Sequence, residues 1–436
     1  MKILQSGAKD FETVFESLQN RRARIFDHFQ RDVQSQIQGY RNHREKVLIS
    51  NAETFDQCAL KEDELWVNPG LIKSAHKGLS PAVRDAIEHV KERIETFQAE
   101  LKTAAVQSQE ESGVMWGTIL RPLDRVGIYV PGGRAHYFLS LLFAGVPARM
   151  SGVKEIVVAT PPKTKLGTPY VDPLFLYAAK LLDISTILVA GGPAALAALA
   201  FGTKKSAPVQ KVLASGGART IVGLHHLSGY VGVELCAGNS EICFICDDST
   251  SIDMVAGDIL GCADRDPEAS VFLFHSSDKW IRSLVERLAA LVADVKDLQS
   301  RETIQRCLEK NFFCFICKDL SEAFELSNRL GPGTLSVQVE NASEHLEKIE
   351  VAGQVLLGSY SPPTATDLIG GAAGLVSTWG SAAFSSSLSP AAFMRRFPYV
   401  EVSKEALERT HAESRKLAEE EGFHEREPSF VARIGN

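Results

Sequence analysis

Residues 125–133 read RVGIYVPGG, a run of β-branched and apolar residues that ends in a proline and two glycines. This pattern predicts a buried strand followed by a tight turn. SLLFAGVPARMSGV at 140–153 then predicts a helix, and EIVVATPP at 155–162 predicts a second strand. ISTILVAGG at 184–192 and PAALAALAFGT at 193–203 repeat the pair of strand and helix. Strands that alternate with helices at this spacing predict a parallel sheet with helices on both faces.

A second set of apolar strands follows at 241–249 (EICFICDDS), 269–277 (ASVFLFHSS) and 311–319 (NFFCFICKD), with helical patterns between them. The predicted fold class is therefore α/β, with two Rossmann-like parallel-sheet domains that face a central cleft. Ligands of such sheets bind beyond the carboxyl ends of the strands, where we expect the cleft to lie. The predicted organisation is a helical N-terminal region at 1–120, sheet domains at 121–235 and 236–390, and a helical C-terminal tail at 391–436.

Bulk composition excludes several classes of protein. The chain has 436 residues, of which 44% are hydrophobic and 23% charged, and its formal net charge is −7. A non-specific nucleic-acid-binding protein needs a basic face, so we expect no nucleic-acid partner. The N-terminus lacks an apolar segment of signal-peptide length, and the most apolar stretch, 184–202, is interrupted by Gly191-Gly192-Pro193. We therefore expect a soluble, cytoplasmic protein with a small-molecule substrate and no membrane partner.

The eight cysteines include two CxxC pairs, Cys243/Cys246 and Cys314/Cys317. Paired CxxC motifs can build a zinc site on polar turns, but these pairs lie inside apolar runs that are predicted as buried strands. Cysteine behaves in such places as a small hydrophobic residue. We predict buried thiols rather than a metal site, and no disulfides.

Several longer motifs, taken in order, make a family resemblance specific. They are RPLDRVGIYVPGGRAHY, GVPARMSGVKEIVVATPP, GGPAALAALAFGT, AGNSEICFICDDS, DMVAGDILGCADRDPEAS, AGQVLLGSYSP and AFSSSLSPAAFMRR. Together they resemble the histidinol dehydrogenase family across nearly the whole chain. The resemblance implies two Rossmann-like domains, a homodimer whose C-terminal tails are swapped, one zinc ion and NAD. It also implies oxidation of an amino alcohol, through an aldehyde, to an amino acid.

The zinc positions that the resemblance implies are mostly changed. The family has Gln and His in a segment close to LxQAEHDP, and ILGCADRDP places Cys262 and Arg265 there. Asp367 matches the third ligand, while Arg426 stands where the family has a His five residues after Glu421. Arginine stays protonated and does not ligate zinc. We therefore expect no zinc, although a site rebuilt from Cys262 and His424, which lies two residues from the expected position, stays open.

The acid–base pair of the family, Glu-His in APEHLEL, has two candidate positions in this chain. The segment ASEHLEKIE contains Glu344 and His345. Counting back from AGQVLLG without a gap instead puts the pair at Gly333 and Thr334. We favour the second alignment, because short motifs match by chance. Glu344 and His345 then belong to a surface helix, and the acid–base pair is absent.

The positions that hold NAD in the family are changed as well. Ala194 stands where GGAQAIAALAYGT has Gln, and Gly217 stands where GPGNxYV has Asn. Gly374 replaces a His that the family keeps near the substrate. The loop YVPGG, which begins at Tyr129, is intact, and either a structural turn or a binding role is consistent with it. We therefore predict a protein without cofactors, while NAD binding through this loop stays open.

The residues that remain define the predicted site. We predict catalytic roles for Cys262, Arg265, Asp367, Glu421 and Arg426, and substrate-binding roles for Tyr129, Ser240, Glu241 and Thr334. Arg265 and Arg426 would form a fork suited to a carboxylate or phosphate. Asp367 would orient the fork or act as a base if burial raises its pKa. Cys262 would be a nucleophile if the arginines lower its pKa, with an inert buried thiol as the alternative.

Three functions are consistent with these observations. The first is a repurposed enzyme that needs neither zinc nor NAD and performs an isomerisation, cyclisation or elimination on a small organic substrate, plausibly in specialised metabolism. The second is an NAD-dependent dehydrogenase of an alcohol other than histidinol. The third is a catalytically dead homologue with a binding or regulatory role, because folds outlive functions. We favour the first.

Overall fold

The strands form two parallel sheets and three small antiparallel sheets. The computed structural model describes residues 1–101, 104–109, 112–133, 135–165, 168–235, 237–238, 241–365, 368–369, 371–372, 374–376 and 378–434. The strands are β1 Lys2–Gln5, β2 Gln107–Gln109, β3 Val114–Pro122, β4 Arg125–Tyr129, β5 Glu155–Thr160, β6 Lys163–Lys165, β7 Thr168–Tyr170, β8 Thr186–Val189, β9 Lys211–Ala214, β10 Gly232–Leu235, β11 Ala237–Gly238, β12 Glu241–Cys246, β13 Ser270–His275, β14 Phe312–Ile316, β15 Thr334–Gln338, β16 Gln354–Leu357, β17 Leu375–Val376 and β18 Met394–Val402.

Helices connect most of these strands. They are α1 Phe11–Gln19, α2 Arg21–His43, α3 Glu45–Phe55, α4 Pro69–Ser74, α5 Pro81–Glu100, α6 Phe138–Met150, α7 Pro173–Leu181, α8 Gly192–Phe201, α9 Ala218–Leu227, α10 Ile252–Ala263, α11 Asp278–Asp294, α12 Leu298–Asn311, α13 Leu320–Leu330, α14 Pro363–Ala365, α15 Lys404–Glu420 and α16 Glu427–Ile434. Short 3₁₀ helices include Ala342–Lys348 and His424–Arg426. Ser80, Asp172, Ser277 and Asp319 cap the helices that follow them by accepting a backbone N–H bond, as the cap preference of these residue types predicts.

The first sheet has five parallel strands in the order β10-β9-β4-β5-β8. Helices α6 and α7 cover one face together with α5, and α8 and α9 cover the other face together with α2 and α3. Ala194 to Ala200 on α8 are all buried, so this helix has no polar side. The interrupted apolar stretch at 184–202 is therefore a strand, a glycine turn and a buried helix, as its sequence predicts.

The second sheet has six parallel strands in the order β1-β14-β13-β12-β15-β16. Helices α10, α11 and α12 cover one face, and α1 and α13 cover the other. All six residues of β12 are buried, because both faces of the sheet are covered. Cys243, Cys246, Cys314 and Cys317 are buried free thiols, as predicted. The edge strand β1 was not indicated by the helical periodicity of the N-terminal region.

The chain separates into two compact units, and the predicted α/β class with two parallel sheets is confirmed. Residues 1–101 and 123–393 form the larger unit, which contains both sheets. Residues 102–122 and 394–436 form the smaller unit, in which β18 pairs with β3 in antiparallel register before α15 begins. The segment predicted as a helical tail thus starts with a nine-residue strand. Within the described ranges, no helix is both long enough and apolar enough to span a bilayer.

Candidate functional site

A cavity of about 980 Å³ lies between the two sheets of the larger unit. Gly217 and Thr220, which follow the carboxyl end of β9, line one side. Ser270 and Phe313, at the amino ends of β13 and β14, line the other side, and α1 and α2 contribute a further wall. The first sheet therefore borders the cavity with the carboxyl ends of its strands, as expected. The second sheet borders it with the amino ends of its strands. The volume is that of a small-molecule or cofactor site.

Glycine and proline shape the first sheet's edge. The turns after β4, β8 and β9 contain Gly132, Gly191 and Gly216, and Pro161 follows β5. A Cβ added to Gly132 or Gly191 would lie 2.4 or 2.9 Å from the Pro161 ring, so both positions need glycine. Gly216 has a φ of +149°, which a residue with a side chain rarely adopts. The edge is consequently built from main chain rather than from side chains.

Tyr129 supports this edge from the buried core of the first sheet. Its side chain is buried, and the Tyr129 hydroxyl accepts a hydrogen bond of 3.0 Å from the backbone N–H of Gly192, the first residue of α8. Burial raises the pKa of Tyr129 to about 12, so the phenol stays protonated at neutral pH. The contact fixes the start of α8, so Tyr129 has a structural role whether or not it meets a ligand.

Gly217 opens the edge to the cavity. It is the N-cap of α9, no side chain caps that helix, and a Cβ added to Gly217 would meet nothing within 4 Å. The first N–H groups of a helix attract anionic groups, and the positive end of the helix dipole adds to this attraction. By contrast, Ala194 is wholly buried in the core around α8. Of the two altered NAD positions, Gly217 thus leaves its backbone accessible.

A buried ion pair that no sequence pattern indicates lies at the second sheet's edge. Arg21, the first residue of α2, binds both carboxylate oxygens of Glu241 at 2.7 and 2.8 Å, and both side chains are almost completely buried. The Arg21 guanidinium also donates to the carbonyls of Leu18 and Leu330, and Gly333 N–H donates to Glu241. Glu241 was predicted to bind substrate, but Arg21 and Gly333 occupy it. No local pattern marks an arginine 220 residues away as its partner.

The two residues predicted to replace the acid–base pair, Gly333 and Thr334, lie close to the second sheet's ion pair. Gly333 and Thr334 lie at the amino end of β15, beside Glu241, and Thr334 is buried with its hydroxyl accepting from Gln354 Nε2 at 2.9 Å. Glu344 and His345 lie in the 3₁₀ helix Ala342–Lys348, where Glu344 is exposed and His345 packs on an aromatic ring. The surface helix predicted for these two residues is confirmed.

The described zinc positions do not make a ligand set of the family's kind. Cys262 is buried in the last turn of α10, and Arg265 is exposed in the turn that follows. Ser240 and Asp367 lie outside the described residues. Among the residues that the structure does describe, no three His, Cys, Asp or Glu side chains are grouped as a metal site requires.

Glu421 and Arg426 lie in the smaller unit. Arg426 Nη1 donates to Glu421 Oε2 at 3.0 Å, and both side chains are more than half exposed. Glu421 and Arg426 were predicted to act separately, whereas in the structure each is the other's partner. An i, i+5 pair of this kind contributes little stability in water. The fork with Arg265, which belongs to the other unit, stays a prediction.

Gly374 shows why one family histidine has no place here. A Cβ built on Gly374 would lie 2.1 Å from the ring of Phe143 on α6, which is buried. The aromatic ring therefore fills the volume next to the backbone at this position. The change to glycine is coupled to the packing of Phe143, which the sequence alone does not indicate.

Glycine-rich turns at the carboxyl ends of parallel strands are typical of dinucleotide-binding α/β proteins. The sequence profile of histidinol dehydrogenases matches residues 19–434. Histidinol dehydrogenase of Clostridium acetobutylicum is 33% identical over 424 residues, which is 97% of this chain and 96% of the relative. That of Methanothermobacter thermautotrophicus is 34% identical over 364 residues, 83% of this chain and 84% of the relative.

A solved structure agrees with these relatives. The crystal structure of histidinol dehydrogenase from Elizabethkingia anophelis superposes with a TM-score of 0.84, at 26% identity, and covers 93% of this chain and 92% of its own. This chain belongs to the histidinol dehydrogenase family.

Two predictions are thereby wrong. The repurposed, redox-neutral enzyme of specialised metabolism is contradicted, because full-length relatives about a third identical are histidinol dehydrogenases. The expectation of no cofactor is contradicted as well, because the chain belongs to a family of dehydrogenases that use NAD and zinc. Both errors came from counting altered side chains as lost function.

Proposed function

We propose that this protein is an NAD-dependent dehydrogenase that oxidises histidinol or a closely related amino alcohol. The observation that carries the proposal is the glycine-built carboxyl edge of the first sheet, which opens at Gly217 into a cavity of about 980 Å³. Membership in the histidinol dehydrogenase family supports the same activity.

The residues of the first sheet's edge fit a dinucleotide. The N-termini of α8 and α9 would receive its diphosphate, and the open side of Gly217 would let the main chain approach it. Lys2, Arg24 and Lys310 line the cavity and add positive charge around that anion. When bound, NAD accepts the hydride that the alcohol carbon gives up.

The cavity wall also offers a proton acceptor for the alcohol. Its described acids are occupied, since Asp266 accepts from the backbone N–H of Glu268 at 2.9 Å and Glu268 pairs with Arg306 at 2.8 Å. His28 on α2 lines the cavity and has an imidazole that can take up a proton from the hydroxyl. We assign it that role. We assign no step to zinc, because the described residues at the family's zinc positions do not form its ligand set.

Formation of NADH from NAD and L-histidinol, followed by absorbance on the purified full chain, tests the activity. We expect turnover that depends on both compounds, and a Gly217→Val variant, which narrows the cavity, is expected to lose it. Absence of NADH formation, with a range of amino alcohols and with zinc supplied, would overturn the proposal.

The role of His28 is tested separately by its substitution. His28→Gln is expected to lower kcat about a hundredfold, because proton transfer contributes about that factor, while the affinity for NAD stays unchanged. His43→Gln, in the last turn of the same helix, is the matched control. An unchanged kcat in His28→Gln would exclude this assignment without affecting the proposed activity.

A homodimer in the cytoplasm completes the proposal. The smaller unit leaves large apolar side chains exposed, among them Phe397, Val400, Leu417 and Phe423, and such surfaces mark interaction sites. Light scattering of the purified chain is expected to give a dimer that Leu417→Lys converts to monomer, while Glu413→Lys on the same helix does not. A monomeric wild type would contradict the proposed homodimer.

Seven free cysteines among the described residues suit a reducing compartment, and cell fractionation tests the proposed cytoplasmic location.

A further inference from the structure

Trp379 lines the cavity between the two sheets. The residue is only 8% exposed, and its side chain forms an apolar cluster with Ile221 of α9. Ala218, the first residue of α9, and Ile25 of α2 pack against this cluster. His28 follows Ile25 by three positions, so both lie on the same face of α2. The indole is therefore placed beside the N-terminus of α9 and the proposed proton acceptor.

The backbone holds Trp379 in a conformation that bulky residues rarely adopt. Its φ is +55°, in the left-handed region, and the φ of Gly380 is +76°. The Ser381 hydroxyl stabilises this turn by donating to the carbonyl of Thr378 at 2.7 Å. A Cβ added to Gly380 would lie 3.8 Å from Arg21 Nη1, so the turn also lies close to the buried ion pair. Strained residues of this kind cluster at functional sites, where the surrounding structure fixes them.

The cavity wall offers flat apolar surface to a substrate ring. Besides Trp379, three phenylalanines line it: Phe29, Phe272 and Phe313. The acids Glu241 and Glu268 of the same wall are each bound to an arginine, at 2.7 and 2.8 Å. A ring N–H therefore meets neither of them as a free acceptor, whereas the face of a ring meets aromatic carbon.

A stacked imidazole and indole already form part of this fold. His275 lies on Trp280 with the ring centroids 4.3 Å apart and 11° between the ring planes. Aromatic pairs gain free energy beyond that of area burial alone, and this gain needs no bond to a ring nitrogen. A flat ring is thus a suitable partner for an indole with or without nitrogen atoms.

We propose that Trp379 contacts the planar ring of the substrate, so that the protein selects aromatic amino alcohols by the shape of the ring and not by its nitrogen atoms. This inference rests on the proposed function. A flat ring packs on an aromatic side chain over its whole face, whereas a puckered saturated ring of the same size makes fewer contacts. Phenylalaninol should therefore bind within a few fold of histidinol, although its ring has no nitrogen.

Calorimetric titration of the purified full chain with L-phenylalaninol and with L-cyclohexylalaninol, its saturated counterpart, tests the inference. We expect the wild type to bind phenylalaninol about fivefold more tightly, the factor that an aromatic contact contributes. Trp379→Leu should bind both compounds alike, whereas Trp379→Phe, which keeps a flat ring, should retain most of the preference. Phe384→Leu, at an exposed aromatic residue of the same segment, is the matched control and should behave as wild type.

Tryptophan fluorescence gives a second readout that does not depend on the leucine variant folding. Phenylalaninol should change the emission of the wild type and of Phe384→Leu, and this change should be absent in Trp379→Phe. A change that persists in Trp379→Phe would place the ring away from Trp379. Circular dichroism checks that each variant is folded.

The outcomes separate the two proposals. If the wild type oxidises histidinol but binds phenylalaninol and cyclohexylalaninol equally, or if folded Trp379→Leu keeps the preference, ring selection by Trp379 is overturned and the proposed function stands. If the wild type forms no NADH from any amino alcohol, the proposed function is overturned together with the substrate class inferred from it.

Discussion

The two sheets meet the same cavity with edges of opposite construction. The first sheet offers carboxyl ends, glycine turns and the N-termini of α8 and α9. The second offers amino ends and a buried pair of charged side chains, Arg21 and Glu241. The first edge presents main-chain atoms, whereas the second presents the side chains of an ion pair. Side chains are excluded at Gly132 and Gly191 of the first edge, whereas the second edge is held together by the side chains themselves.

The sharpest test of this comparison removes one charge from the second edge. Glu241→Ala leaves Arg21 buried without its carboxylate, so we expect a loss of about 3–5 kcal/mol in the free energy of unfolding. Urea unfolding monitored by circular dichroism measures it. Glu268→Ala removes an exposed ion pair with Arg306 and should cost less than about 1 kcal/mol. Equal losses of unfolding free energy in the two variants would mean that the buried pair stabilises the fold no more than an exposed one.

A smaller loss is expected where a side chain is added beside Phe143. Gly374→Ala places a methyl group against the aromatic ring, and overpacking of this kind costs about 1–3 kcal/mol. Thermal unfolding measures the loss, and Phe143→Leu combined with Gly374→Ala should recover part of it. If Gly374→Ala is as stable as wild type, the ring does not exclude a side chain here.

At the first edge we expect an effect on binding rather than on stability. A side chain at Gly217 points into the cavity without touching its neighbours, so Gly217→Val should fold normally and bind NAD at least tenfold more weakly. Gly229→Val, which also adds a side chain in open space, is the control. Calorimetry gives the affinity for NAD. A Gly217→Val variant with wild-type affinity would show that the cofactor does not bind at the N-terminus of α9.

The smallest expected effect concerns pH and stability without ligand. Burial raises the pKa of Asp56 to about 6 from 3.8, so the folded protein holds a proton that the unfolded chain has released. Stability from this group is consequently present at low pH and is lost as pH rises from about 4 through about 6, by on the order of 1–2 kcal/mol. Denaturant unfolding across this range should show the slope in wild type and not in Asp56→Asn, and identical slopes would contradict it.

Much of the fold could be predicted from the sequence. Alternation of apolar strands with helices is local, and so both parallel sheets, the buried CxxC pairs and the helix at 193–203 follow from short windows of residues. Strand β1 could not be predicted, because its four residues pair with β14 more than 300 positions later. Which edge of the second sheet meets the cavity depends on long-range topology as well.

The site was predicted less well, for a related reason. Comparing sequences position by position detects changes of side chain. At Gly217 it detects only the loss of an asparagine, although the backbone N–H remains and the space beside it is open. Arg21 and Asp56 lie in the helical N-terminal region, outside every motif, and only the folded chain brings them to Glu241 and Gly191. The bond that occupies Glu241 is equally invisible in the sequence.

Hydrogen–deuterium exchange with and without NAD tests the central claim most directly, because it shows where the cofactor binds. We expect NAD to slow exchange in the turns after β4, β8 and β9, at residues 130–133, 190–194 and 215–220, and not in the loops at the carboxyl ends of β12 and β13. Protection confined to the second sheet, or no protection at saturating NAD, would contradict the assignment of the glycine-built edge as the cofactor site.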